Sequence, residues 1–222
     1  MTFSLAGRCA RTGMFGAVVS SSSPAVAARC ISARAAIGAA CSQNVTDPRL
    51  GPWMLDLLAK GNDAPTALDK IVAEAPHIEY RQLCLVDSTG RGAAFSGANT
   101  LGRHSTRIGT DCVAAGNLLA SEDVPGAMVA AYEASSGSHL GDRLVGALKA
   151  AVAAGGEAGP VHSSGLVLVD EVPWNVADLR VDWADDDPVS ELEALWEIYR
   201  PQLDDYVRRA LDPSKAPSYP VA

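Results

Sequence analysis

The sequence predicts an α+β fold, and three observations carry that expectation. Strand-like stretches come in two blocks instead of alternating singly with helices. Each block is followed by a pair of helical segments. A last helical segment closes the chain. Strict β-α-β alternation would point to a parallel sheet, whereas helices in consecutive pairs point to layered sheets. At 222 residues one well-filled domain is expected, and a second would be cramped.

The first block opens with "TFSLAGR" (2–8) and "MFGAVVS" (14–20), joined by "CARTG", a turn carrying Gly13. "AAIGAACSQ" (35–43) is rich in small residues, as a tightly packed buried strand would be. "DPRLGPWMLDLLAKG" then reads as a helix, with Asp47 as cap, Pro48 in the first turn and Gly61 as the stop. A second helix, "APTALDKIVAEA" (64–75), ends at Pro76.

The second block begins with "IEYRQLCLVD" (78–87), the turn "STGR" and "GAAFSG" (92–97), a hairpin pattern. "NTLGRHSTRIGTD" is expected to be a loop, and "CVAAGNLLA" (112–120) a buried strand. Helices are expected near 123–134 and 139–154, the latter with leucines and valine at helical spacing. "SSGLVLVD" (163–170) and "DLRVDW" (178–183) return to strand. The closing helix spans about 188–211; Pro188 marks its start, Pro201 should kink or break it, and a short tail follows.

Composition removes several functions. Hydrophobic residues at 48% and charged residues at 20% argue against disorder. No run approaches the roughly 18–20 apolar residues of a membrane helix, so no membrane partner is expected. The net charge of -8 is unevenly spread. Residues 1–46 carry four arginines and no acid, whereas 170–222 carry thirteen acids against five bases. An acidic chain without a basic stripe is poorly suited to phosphates, so no nucleic acid partner is expected. The Arg-, Ser- and Ala-rich opening resembles a targeting peptide in composition, but its strand pattern favours a structural role, which makes the cytoplasm the expected compartment.

Five scattered cysteines without a CxxC form neither a disulfide framework nor a zinc site. Cys41, Cys84 and Cys112 sit in apolar runs and are expected to be small buried hydrophobes. The four histidines are too far apart for metal-ligand spacing, so no metal is indicated. There is no G-x-S-x-G elbow and no phosphate-binding or dinucleotide-binding glycine motif, and no cofactor is expected. "GGEAG" (155–159) follows a helix and is read as its termination.

That leaves Thr2, at the very start of the first strand. Aminopeptidases remove an initiator methionine when the next residue is small. The chain would then begin with a hydroxyl nucleophile carrying its own α-amine, whose pKa of about 7.7–8.0 suits a base near neutral pH. The plain alternative is a chance Met-Thr start.

"TFSLAGR", "TGMFGAVVSSSSPAVAARC" and "ARAAIGAACSQNVTDPRLGPWMLDLLAKG", with "YRQLCLVDSTGRGAAFSG", "AAGNLLA", "HSSGLVLV" and "DLRVDWADDDPVSELEALWEIY", run through essentially the whole chain. In that order they resemble a bacterial and archaeal family without assigned function, domain-of-unknown-function family 1028, regarded as similar to N-terminal nucleophile hydrolases. The resemblance implies a four-layer αββα sandwich of two stacked antiparallel sheets. It also implies an amidohydrolase whose nucleophile, at the matching position, is Thr2.

Further roles follow from that expectation. Ser20, near the end of the second strand, would orient the amine or else be a turn residue. Asn117 and Asn44, each at a strand end, would stabilise an oxyanion or else cap backbone. Arg34 would lower the amine's pKa or hold an acidic substrate, the alternative being an exposed strand-end arginine. Arg81 would contact substrate or else pair with Glu79. The serine run at 20–23 and "QNVTDP" depart from the family's usual pattern near the expected cleft, which leaves substrate preference open.

The expected activity is therefore cleavage of an amide bond in a small metabolite, lactam or peptide-like substrate. No stacked ring is expected, but a homodimer through the C-terminal helix is compatible with the sequence. The competing readings are a non-catalytic ligand-binding or interaction protein on the same fold, and a hydrolase using an internal Cys112 or Ser163.

Overall fold

The chain forms two antiparallel sheets clad by helices. The computed structural model describes residues 2–218; Met1, whose removal the expected mechanism needs, and 219–222 of the tail lie outside the described residues. β1 (Thr2–Arg8) and β2 (Phe15–Ser21) form the first hairpin, with Phe3 opposite Ser20 and Arg8 opposite Phe15. After a short helix, α1 (Ala27–Cys30), come β3 (Ile31–Arg34) and β4 (Gly38–Asn44), then α2 (Leu50–Ala59) and α3 (Ala64–Glu74). β5 (Arg81–Asp87), β6 (Gly92–Ser96), β7 (Ser105–Gly109) and β8 (Cys112–Asn117) follow. Next are α4 (Val124–Ala134), α5 (Leu140–Ala153), β9 (Ser163–Val169) and β10 (Asn175–Val181). α6 (Pro188–Tyr199) and α7 (Leu203–Leu211), separated by a single 3-10 turn at Arg200–Gln202, complete the chain.

One sheet has the order β10-β9-β2-β1-β8-β7 and the other β3-β4-β5-β6, with every pairing antiparallel. β1 therefore lies inside the larger sheet, hydrogen-bonded on both sides. The side-chain alternation of a strand, period two, sorts each strand's residues between two faces. Phe3, Leu5, Val18 and Ala114 join Leu144, Leu148 and Met128 of α5 and α4 in one core. Leu83 and Leu85 join Met54, Leu58 and Ile71 of α2 and α3 in another. Ala6, Ala17, Ala39, Cys41, Cys84, Val86, Val113 and Ala115 form a third, contributed by both sheets. Its small side chains explain the alanine-rich strands, because they let two sheet faces approach closely.

Helix ends follow local chemistry. Asp63 accepts a hydrogen bond from the Thr66 N–H at the start of α3, and Asp187 accepts from Val189 and Ser190 at the start of α6. The break expected at Pro201 falls in the 3-10 turn. Asp47 does not cap α2 directly: it accepts from the Arg49 backbone and pairs with the Arg49 guanidinium, one turn before the helix begins at Leu50.

Two expectations need correction. The stretch 35–43 is not one strand. Ala36, with φ of 59°, turns the chain between β3 and β4, so the strand begins at Gly38. The expected loop at 99–111 contains β7, an edge strand whose exposed polar residues mask its periodicity. All five cysteines are buried free thiols. Among the described residues no helix is long and apolar enough to cross a membrane.

Asp87 ties the smaller sheet to its helices. One carboxylate oxygen accepts from the Ala64 N–H that opens α3, and the other accepts from the backbones of Thr89 and Arg91 and from the Thr89 hydroxyl. Burial by itself would raise its pKa, but these hydrogen bonds outweigh burial and hold it below the ordinary carboxylate value. Asp87→Ala should lower the unfolding free energy at neutral pH by about 2–3 kcal/mol in urea titrations. Because the folded pKa is depressed, the gap should shrink as pH falls through it.

Candidate functional site

The interior between the sheets is apolar at one end and polar at the other. Thr2, Ser4 and Ala6 alternate with Phe3 and Leu5, so their side chains share the face turned to the second sheet. Gln43 and Gln82 fall on the corresponding face of that sheet, in step with Cys41 and with Cys84 and Val86. Ser4 Oγ donates to Gln43 Oε1 at 2.5 Å, and Gln43 Nε2 donates to Gln82 Oε1 at 2.9 Å. Asn117 Nδ2 donates to the same Gln82 oxygen at 3.1 Å. Gln82 Nε2 in turn donates to Ser96 Oγ at 3.0 Å and to the Gly116 carbonyl at 2.9 Å. Ser4, Gln43, Gln82 and Asn117 are all fully buried.

Thr2 lies at this polar end. It is 5% exposed and opposite Asn117 in the register with β8. Its Oγ1 is 3.3 Å from Ser21 Oγ on the other neighbour, β2. The Ser23 N–H donates to that Ser21 hydroxyl at 3.1 Å. The hydroxyl beside Thr2 is thus Ser21, one residue beyond the expected Ser20. Ser20 opposes Phe3, falls on the helix-facing side and gives its proton to the Ser163 carbonyl at 3.0 Å. A shift of one residue exchanges the faces of a strand.

A carboxyl that the sequence reading passed over completes the site. Gly155 and Gly156 take φ values of 107° and 56°, a backbone course suited to glycine, and turn the chain sharply at the end of α5. Glu157 follows, bridged to Leu119 just beyond β8, and its Oε1 accepts from the Ser22 N–H just beyond β2 at 3.2 Å. It therefore spans the ends of the two strands that flank Thr2. It is 5% exposed, and burial pushes its carboxyl up to about 7, although the charge at the amino terminus and then the Ser22 hydrogen bonds work against that rise. Glu157 Oε2 and Asn117 Oδ1 are buried without a hydrogen-bond partner among the described residues. The reading of "GGEAG" as helix termination holds for the glycines. The available signal for Glu157 was a lone acid in an otherwise uncharged small-residue stretch.

The remaining expected residues do not converge on Thr2. Arg34 opposes Gly38, five positions along β4 from Gln43 and so about 17 Å away at strand rise. It pairs with Asp56 at 2.9 Å. Asn44 is at the right end of β4 with φ of 74°, but its amide ties loops together, donating to the Tyr80 carbonyl at 2.6 Å and accepting from the Leu101 N–H at 3.1 Å. Arg81, opposite Asn44, donates to the Val45 carbonyl and makes no ion pair with Glu79 among the described residues. On the outer side of Ser21, the His162 N–H donates to the Ser21 carbonyl at 2.8 Å, and the imidazole stacks on Trp183 with centroids 4.3 Å apart. No group of three or more His, Cys, Asp or Glu that could hold a metal occurs among the described residues.

Two facing antiparallel sheets, clad by helices and carrying a buried polar cluster at one strand end, define an α+β protein. Residues 2–192 match the model of a family of unknown function, DUF1028, and the chain belongs to that family. It is similar to a crystal structure of a protein from Silicibacter pomeroyi assigned to the same family, at 26% identity over 94% of both chains with a TM-score of 0.85. A weaker likeness, at 10% identity and a TM-score of 0.40, is to Anbu (ancestral beta-subunit) from Yersinia bercovieri, covering 99% of this chain and 100% of that one. That similarity is too low to bear on the chemistry. No curated protein matches the chain.

Two outcomes follow. Gln82→Leu should cost about 3 kcal/mol or more of stability in thermal or urea unfolding, because it strands the Asn117, Gln43 and Ser96 side chains in a dry interface. Glu157→Gln should alter the pH dependence of stability. A carboxyl raised from near 4.5 to about 7 stabilises the fold below pH 4.5 relative to its ionised form, and that contribution is lost as pH rises through 7. Melting followed from pH 4 to 8 should show this loss in the wild type and not in Glu157→Gln.

Proposed function

We propose that the protein is an N-terminal-nucleophile amidohydrolase acting on an amide bond in a small metabolite, lactam or peptide-like substrate, with Thr2 as nucleophile after removal of Met1. The observation that carries this reading is the position of Thr2: buried on the inter-sheet face of an interior strand, between the Ser21 hydroxyl and Asn117, with Glu157 across the adjoining strand ends. The arrangement of helices outside two facing sheets supports a four-layer αββα sandwich of the kind such hydrolases use.

In the proposed reaction, Thr2 Oγ1 attacks the amide carbonyl as its proton passes to the α-amine of the same residue. The tetrahedral intermediate collapses, and the departing amine takes that proton. A threonine ester remains. Water then adds to the ester, the α-amine accepting the water's proton and returning one to Thr2 Oγ1 as the carboxylic acid leaves. Asn117 is the amide nearest in register, and in this scheme it holds the amine or the developing oxyanion.

The internal nucleophiles are less suited. Ser163 Oγ is fully buried, gives its proton to the Ser23 carbonyl at 2.6 Å and accepts from the Val26 N–H at 3.2 Å. Burial pushes the Cys112 thiol up to about 12, far from a thiolate at neutral pH.

Release of primary amine from a panel of small amides, lactams and dipeptides tests the reading. Thr2→Ala should abolish turnover by roughly a thousandfold or more, and Thr2→Ser should keep a measurable part of it. Undiminished function in Thr2→Ala would favour the binding-protein alternative.

A further inference from the structure

Two buried acceptor atoms at the Thr2 end lack a donor among the described residues: Glu157 Oε2 and Asn117 Oδ1. Both belong to segments at the strand ends that flank Thr2. Asn117 is on β8, opposite Thr2, and Glu157 is fastened to the chain just past β8 through Leu119 and just past β2 through Ser22. Leaving buried acceptors unsatisfied is costly, and more so for a charged group. A pair at one end of one strand calls for a donor with more than one proton. An amine freed at Thr2 is such a donor.

We propose that Glu157 is a positioning residue of the Thr2 site, its Oε2 accepting a hydrogen bond from the α-amine of a chain that begins at Thr2, with Asn117 Oδ1 accepting a second. This rests on the amidohydrolase reading and adds to it a residue and a role. The two bonds fix the amine's rotation about the N–Cα bond, so that its lone pair is directed at the residue's own hydroxyl. The Ser22 N–H fixes the carboxyl in turn.

The surroundings make the carboxyl responsive to a single charge. No ion pair to Glu157 occurs among the described residues. From β1 its segment meets Phe3, which faces Gly156, and from α5 it meets Ala151, whose carbonyl accepts from the Gly156 N–H. On the β8 side, Ala120 bonds to the Gly156 carbonyl, and Arg103 is the cation on that segment, donating to the Ala120 carbonyl. From the β2 side come the serine run and its Ser22 N–H.

The test uses protein whose Thr2 is exposed directly, by cleaving an amino-terminal fusion partner, so that it does not depend on how Met1 is processed in cells. Trace acylation of the α-amine is followed against pH, with trypsin releasing the peptide 2–8, TFSLAGR, which contains no lysine. The labelling midpoint should fall by about one pH unit in Glu157→Gln relative to wild type, making the amine several times more reactive near pH 7. Glu157→Asp, which keeps the carboxylate, should lie between the two. Equal midpoints in wild type and Glu157→Gln, with both proteins folded by thermal melting, would overturn the proposal while leaving Thr2 catalysis open. If Glu157→Gln does not fold, Glu157→Asp and wild type decide it: a wild-type midpoint no higher than that of the free peptide TFSLAGR overturns it.

Discussion

The Thr2 end of the molecule depends on one amide. Gln82 is fully buried between the sheets, and its four hydrogen-bonding positions are all used: two donors reach its oxygen, and its nitrogen donates twice. Through it, β4, β5, β6 and β8 are tied across a layer that is otherwise largely apolar. A buried polar network of this kind rigidifies the core to the extent that its members are satisfied, and every position of Gln82 is used. That bonding fixes the lateral position of one sheet over the other, which apolar contacts between alanines would leave free to slide. Asn117 is held through its amide nitrogen by this network, and its amide oxygen is buried without a partner among the described residues.

The site follows from that anchoring and from alternation along strands. Because β1 is interior and antiparallel to both neighbours, its first residue is flanked by the end of β2 and the end of β8. Loops leaving those two strands close over it, and the glycine turn after α5 brings Glu157 into the gap between them. Ser21, Asn117 and Glu157 come from three distant stretches of chain, each placed by ordinary register. Burial raises the Glu157 carboxyl towards neutrality, against the amino-terminal charge and the Ser22 hydrogen bonds.

Much of the fold was legible because its signals are local. The hairpin of β1 and β2, the helix pairs, the break at Pro201 and the small-residue strands each come from turn chemistry or periodicity within a few residues. The edge strand β7 was missed because it is short and exposes Thr106, Arg107 and Ile108 without alternation, and the turn at Ala36 because alanine seldom adopts a positive φ. The site was only partly legible. Thr2 and Asn117 mark strand ends that face one another, and strand position can be read from sequence. Ser20 was chosen over Ser21 because which hydroxyl faces inward depends on exact register, and four consecutive serines conceal it. Arg34 proved a strand-end arginine paired with Asp56, at the other end of β4 from Gln43. Gln43, Gln82 and Glu157 lie in apolar or glycine-rich runs. There a polar residue's meaning depends on what the opposite sheet or a distant loop brings against it.

The central claim is that Thr2 works as an amino-terminal residue. Intact mass of the untagged protein, with the amino-terminal tryptic peptide sequenced, tests this most directly. The account predicts a mass lower than the full sequence by one methionine, about 131 Da on the 23.0 kDa chain, and a first peptide beginning at Thr2. Complete retention of Met1 in active protein would contradict it, since the α-amine would then be tied up in a peptide bond.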